Sequence, residues 1–309
     1  MAFLKKMLLN SASVSRLDDF VEQLIDKTPK VGKWGVKTSH AIHKKVLKED
    51  AGVRKIADFL HGIWLGHPLH PVFTDITIGA LIIGAIFDVK GEIEDSEKYK
   101  WAGGRLQEIG TIAALPTAVS GLTDFSTVPK PAAKTASLHG LLNIAGVALN
   151  TASIIQRRKG KGGRSLSVAA LGVTAVSALM GGMLVYKHKV GTDHSQKISK
   201  LNEWTPVLDA DELPVESSKK VDIKGKGVLL YHGDERVFAV GSVCSHAGGP
   251  LENGEIKDEC VTCPWHDSVF NLKDGRIMHG PATRPQPNYQ TRIYEGKIEV
   301  RLPQNGTKT

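Results

Sequence analysis

The chain has 309 residues, a formal net charge of +8 and a sequence pI near 9.2, so it has room for two domains and is basic enough to raise nucleic acid as a partner. Much of the excess lies in Arg157-Arg158-Lys159-Gly160-Lys161-Gly162-Gly163-Arg164, between the two most apolar segments, with no nucleic-acid motif beside it. A loop on one side of a membrane, or one that contacts anionic lipid, accounts for that charge better than a nucleic acid does.

Residues 1–60 read as an amphipathic helical segment. Leu17, Phe20, Val21, Leu24 and Ile25 follow helical spacing, with Asp18, Asp19, Glu22 and Asp26 on the other face. Such a face suits a membrane surface or a second domain. Lys5 and Lys6 are followed only by Met7-Leu8-Leu9 before Asn10 and Ser11, which is too short for the apolar core of a signal peptide.

Residues 61–190 are of a different kind. Segments 166–186 and 136–156 are each twenty-one residues long; the first has no charge and the second has His139 as its only titratable side chain. At 1.5 Å per residue each crosses roughly 30 Å of hydrocarbon. Two weaker segments precede them, 71–87 with Asp75 inside, and 109–122, which reaches membrane length only by including Arg105 and Glu108. Gly and Ala are abundant, as close helix packing in lipid prefers. The expectation is a four-helix transmembrane bundle. A linker (191–202) and a small antiparallel β domain (203–303) follow, with a short tail (304–309). The strands come from 227–231, 237–240, 289–294 and 297–302, the last two joined as a hairpin by Glu295-Gly296.

Within the β region stand Cys244-Ser245-His246 and Cys263-Pro264-Trp265-His266, giving the pattern C-x-H-x16-C-x2-H. This resembles the Rieske family, in which two cysteines hold one iron of a [2Fe–2S] cluster and two histidines hold the other. The likeness extends to Gly248-Gly249-Pro250-Leu251 after the first pair and to Gly280-Pro281-Ala282-Thr283-Arg284-Pro285, which is similar to the family's cluster-covering proline loop. It implies one cluster per chain, held by Cys244, His246, Cys263 and His266, with Ser268, Phe270 and Pro281 beside it. Zinc takes the same donor types, but zinc-finger spacing differs and would not predict a proline loop.

The run 263–270 looks most like the ferredoxin branch. Gly249 and Trp265 stand in the regions where respiratory members carry a loop disulfide. Phe270 stands where high-potential members carry a tyrosine hydroxyl, which implies a low to middle potential for the family. The third cysteine, Cys260, reads as a small buried residue on a strand, and with no cysteine left to pair it nothing demands an oxidising compartment. Further upstream, Gly66-His67-Pro68-Leu69-His70-Pro71 and Gly181-Gly182-Met183-Leu184-Val185-Tyr186-Lys187-His188 resemble the two ends of a bacterial four-helix membrane domain, a likeness that implies no activity.

With four crossings, His67, His70, His139 and His188 fall at one membrane face, where they either cap helix ends or bind haem b or another metal. The expected protein is a multi-pass protein of a bacterial inner membrane, its Rieske domain cytoplasmic. It passes single electrons between unidentified donor and acceptor proteins, the segment 191–199 acting as a hinge. An electron-supplying component of an oxygenase or reductase, and a redox or iron sensor, are the alternatives.

Overall fold

A computed structural model describes residues 21–23, 25–48 and 51–303, and these fall in two compact units, one made of described residues up to Lys45 with 70–190, the other of those within 46–69 with 191–303. Leu17, Asp18, Asp19, Phe20 and Leu24 of the expected amphipathic segment lie outside the described residues.

The first unit contains α1 (Pro29–Lys48, up to Lys45) and four long helices, α3 (His70–Ile93), α4 (Glu97–Phe125), α5 (Ala133–Arg158) and α6 (Arg164–Tyr186). α3 and α4 form an antiparallel pair. The Gln107 amide donates to the Leu81 carbonyl at 3.3 Å, and the Thr77 and Thr117 hydroxyls meet at 2.9 Å. Glycine permits this approach: a Cβ on Gly110 would stand 2.8 Å from Leu81 Cδ2, and one on Gly103 would collide with the Asp88 carboxylate. α5 and α6 pair likewise, through Ser177 on His139 (2.9 Å) and the Ser153 hydroxyl on the Gly163 carbonyl (2.6 Å). Asn150 of α5 reaches Thr111 of α4 at 2.7 Å.

This unit is inside-out relative to a water-soluble bundle. Gln107, Asn150 and Ser177 are buried, while Ile112 and Ile144 are 66% and 68% exposed. By length and composition α3, the stretch Lys130–Arg158 that includes α5, and α6 can each cross a membrane. The fourth expected span is there as a helix, but α4 carries Glu97, Lys98, Lys100, Arg105, Glu108 and Asp124 and lacks the composition of a span. Of the amphipathic segment, Val21 and Ile25 pack on Met180 and Met183 of α6, so their face is covered by the bundle itself.

The second unit is the β domain with α2 (Ala51–His61). One antiparallel sheet has the order β1-β10-β9-β4-β3-β2, built from Thr205–Asp209, Lys297–Arg301, Asn288–Tyr294, Val237–Gly241, Lys226–His232 and Ser217–Ile223. A smaller one runs β5 (Glu255–Lys257), β6 (Cys260–Thr262), β7 (Val269–Asn271), β8 (Ile277–His279). The Glu295-Gly296 hairpin stands as expected: both residues have positive φ (49° and 74°) and Tyr294 pairs with Lys297, the backbone a two-residue turn needs to match strand twist. Leu229, Phe238 and Val240 of the large sheet pack on Val261 and Phe270 of the small one and on Leu272 just after β7.

The segment expected to be a hinge is docked along this domain. The His194 amide donates to the Ser245 carbonyl at 2.9 Å, the Ile198 amide donates to the Tyr289 hydroxyl at 3.2 Å, and Ile198 and Leu201 are buried in the domain core. Swinging it away would expose two core side chains, which costs about 1.5–3 kcal/mol each.

Candidate metal centre

The two expected ligand loops have one backbone design used twice. The Cys244 amide donates to the Gly249 carbonyl (2.8 Å) and the Cys263 amide to the Ser268 carbonyl (2.8 Å), five residues on in each case. The amide four residues on returns to the cysteine carbonyl, Gly248 to Cys244 (2.9 Å) and Asp267 to Cys263 (3.1 Å). That fourth residue has positive φ in both, 79° at Gly248 and 58° at Asp267; glycine takes it freely, and Asp is among the few other residues that tolerate it. Each tight loop turns backbone N–H groups onto its own sulfur, those of His246 and Ala247 onto Cys244 and those of Trp265 and His266 onto Cys263.

Such donors favour a thiolate. The Cys244 thiol lies against Cys263, and the hydrogen bond between them brings Cys263 down to about 7. The same bond, with burial, pushes Cys244 up. Both sulfurs sit in the apolar interior with Leu251, Val261 and Phe270, whereas His246 and His266 are half-buried at the surface, their ring centroids 5.0 Å apart and nearly perpendicular. Trp265 beside them is 53% exposed.

A donor set of two thiols inside and two imidazoles at the rim suits a two-iron cluster with unlike ends. The space at the sulfurs is a cradle that a single methyl group would fill: a Cβ on Gly249 would lie 2.8 Å from Cys263 Sγ and 3.2 Å from Trp265 Cγ. Overpacking of this kind costs about 1–3 kcal/mol. Gly249→Ala is therefore expected to lower bound iron and acid-labile sulfide per chain several-fold, measured by chemical analysis of anaerobically isolated protein.

The loop containing Pro281 closes the centre. Gly280, Pro281 and Ala282 are buried, and the Gly280–Pro281 peptide is cis. Ser268 is fully buried and its Oγ accepts the Ala282 N–H at 3.0 Å, while the Ser245 hydroxyl donates to the Arg284 carbonyl at 2.6 Å. Ser268 thus ties this loop to the second ligand loop. Phe270 is fully buried on β7. Cys260 opens β6 half-buried, with the Asn271 amide 4.0 Å from its sulfur.

Sequence reasoning missed two residues of α2. Arg54 donates to the Asp267 carbonyl, next to His266, at 2.9 Å. Asp58 accepts from the Gly280 N–H at 2.9 Å and pairs with His279 Nδ1 at 2.8 Å. The contacts join residues more than two hundred positions apart. The only local trace is the spacing of Arg54 and Asp58, four apart and hence on one helix face.

Each of the membrane histidines has a hydrogen-bond partner within its own unit. His70 and His139 approach to 6.3 Å between centroids, but His70 Nδ1 is bonded to the Thr117 carbonyl (2.9 Å). His139 engages both ring nitrogens, Nδ1 with Ser177 and Nε2 with the Asn143 amide at 3.1 Å. His188 faces Thr135 at 3.4 Å and His67 its neighbour's Pro68 carbonyl at 3.0 Å. Haem b has no support in these contacts.

Comparison with known proteins agrees with the geometry. The family described as Rieske [2Fe-2S] domain matches residues 203–290, and the one described as predicted membrane protein (DUF2231) matches residues 66–194. The anthranilate 1,2-dioxygenase ferredoxin subunit of Burkholderia cepacia is 31% identical over 103 residues, 33% of this chain and 94% of that protein. The 3-phenylpropionate/cinnamic acid dioxygenase ferredoxin subunit of Photorhabdus laumondii is 33% identical, over 30% of this chain and 90% of that one. The solved ferredoxin of carbazole 1,9a-dioxygenase from Nocardioides aromaticivorans IC177 is 24% identical over 33% of this chain and all of that one, with a TM-score of 0.31. A Rieske domain implies a [2Fe–2S] cluster. By its two Cys/His loops, the family matches and the two ferredoxin subunits, the chain belongs to the Rieske [2Fe–2S] family, with a DUF2231-type membrane domain ahead of the Rieske domain.

Proposed function

We propose that the chain is a membrane-anchored carrier of single electrons, holding one [2Fe–2S] cluster through Cys244, His246, Cys263 and His266. The observation that carries this reading is the twin-loop geometry, which sets two buried sulfurs under backbone N–H groups and two imidazoles at the rim. The cluster, when bound, takes up and gives back one electron. Cys244 and Cys263, buried, would hold one iron and keep water from it; His246 and His266, at the rim, would hold the other and form the edge at which a partner would exchange electrons. Exposed Trp265 gives that edge an apolar contact for the partner. Ser268, Pro281 and Ala282 keep the covering loop closed. Two relatives are ferredoxin subunits of dioxygenases, which favours an oxygenase-type acceptor and a reductase-type donor here.

The membrane reading rests on the inside-out first unit. It extends to α4 as a fourth crossing: Ile109, Ile112, Leu115, Val119 and Leu122 face outward on it, while Gln107, Ser120 and Thr123 face inward. Glu108 accepts from Arg105 at 2.7 Å and from Arg158 at 2.9 Å, which lowers the cost of placing these charges near lipid. Four crossings return the chain to its starting side. The cytoplasm is the proposed side, since the ligand loops lack the disulfide that suits an exterior position.

Optical and electron paramagnetic resonance spectra of the anaerobically isolated full chain test the cluster. One [2Fe–2S] centre per chain, with the low average g value of mixed Cys/His ligation in the reduced state, is expected. Zinc without inorganic sulfide sinks the reading.

A further inference from the structure

Helix α2 is amphipathic the wrong way round for water. Arg54, Ala57, Asp58 and His61 fall on one face, and that face turns inward: Ala57 and His61 are buried, Arg54 bonds the Asp267 carbonyl, and Asp58 bonds His279 and Gly280. The opposite face carries Val53, Lys55, Ile56 and Phe59 and is exposed. Ile56 is 61% exposed and Phe59 55%, and Trp64, 61% exposed on the next turn, stacks on Phe59 at 5.5 Å. The Trp64 indole N–H donates to the Phe59 carbonyl at 3.1 Å, so the ring presents a satisfied polar tip and a bare apolar body.

We propose that residues 51–65 are an interfacial anchor that lies on the bilayer surface, with Ile56, Phe59 and Trp64 in the headgroup and upper acyl region. Three observations select lipid over another occupant. The outward face combines aliphatic and aromatic side chains with a lysine and no acid, the composition of a helix that lies in the membrane plane. A tryptophan with an apolar body and a polar tip is the residue enriched at membrane interfaces. The first membrane-length helix, His70–Ile93, begins five residues after Leu65, so the anchor cannot sit far from the interface. The inference rests on the membrane reading above and adds to it. Because the inward face of the same helix bonds Asp267 and Gly280, such an anchor would hold the loops on either side of the imidazole edge near the membrane surface.

The full chain reconstituted into nanodiscs of phosphatidylcholine and phosphatidylglycerol, with plain or brominated acyl chains, tests this through Trp64 fluorescence. The chain has five tryptophans, so the Trp64 signal is the difference between the native chain and Trp64→Phe, a change at an exposed site that leaves the fold intact. That signal is expected to be quenched several-fold by brominated lipid and only weakly by aqueous acrylamide. Ile56→Lys with Phe59→Lys should reverse the two sensitivities. A Trp64 signal quenched by acrylamide and not by brominated lipid, in chains that do incorporate, overturns the anchor and leaves the spans standing. Protection from both quenchers means that protein covers the face and overturns it as well. Chains that stay out of the lipid fraction overturn the membrane reading and the anchor together.

Discussion

His266→Cys in the full chain is expected to keep a two-iron cluster and to lower its reduction potential by hundreds of millivolts. The neutral imidazole at this position adds no charge to the centre, whereas a thiolate adds one negative charge directly at the iron that the partner faces. An incoming electron is then repelled more strongly. Mixed Cys/His centres span roughly −150 to +300 mV and all-cysteine plant-type ones lie near about −400 mV, so one exchanged ligand should move the potential well toward the lower figure. The half-buried rim position has room for the shorter side chain. Cys263→Ser is expected to do more, abolishing the cluster, because Cys263 is 2% exposed in an apolar cluster and receives the Trp265 and His266 amides. A hydroxyl there is a far poorer ligand than a thiolate. Redox titration followed by electron paramagnetic resonance reads both variants. An unchanged potential in His266→Cys, or a normal cluster in Cys263→Ser, removes these residues from the ligand set.

The ligand loops were legible because their information is local. Cys244 with His246, and Cys263 with His266, lie within single turns, and Gly248 and Asp267 carry the backbone conformation that each turn needs. The same holds for the Glu295-Gly296 hairpin. Helix α4 was half-legible: Arg105 and Glu108 shortened the apolar run read from the sequence. Only the fold shows that Arg158, fifty residues on, supplies Glu108 with a second partner. The segment 191–199 was read as a hinge because Ile198 is an isolated apolar residue in a polar stretch, and its burial depends on strands that follow much later. Helix α2 hid most completely. Its hydrophobic periodicity is ordinary, and periodicity does not say which face turns inward; the partners that decide it, Asp267, His279 and Gly280, are distant in sequence. His139 was left open between a helix-end role and a cofactor, and its contacts with Ser177 and Asn143 lend the cofactor no support.

Asp88→Ala is expected to be strongly destabilising in the membrane unit. Asp88 on α3 and Arg157 on α5 form a two-pronged ion pair with N–O distances of 2.7 and 2.6 Å, their side chains 6% and 14% exposed. Arg157 also donates to Ser167 at 2.8 Å and Ser153 at 3.2 Å, so three helices meet at one guanidinium. Planar bidentate geometry is what lets arginine rather than lysine serve here. Removing the carboxylate strands a buried cation, a loss of about 3–5 kcal/mol in comparable pairs. Arg157→Met strands the carboxylate and should cost about as much. Removing both charges, as in Asp88→Leu with Arg157→Met, leaves no stranded charge, and replacement of buried pairs by apolar residues is often neutral or stabilising. The double variant should therefore be far less destabilised than the sum of the single ones, since the two residues form one unit. Unfolding of the four proteins in the same lipid or detergent, followed by circular dichroism, decides it. If the single losses add in the double variant, the two side chains act independently and the pair does not hold α3 to α5.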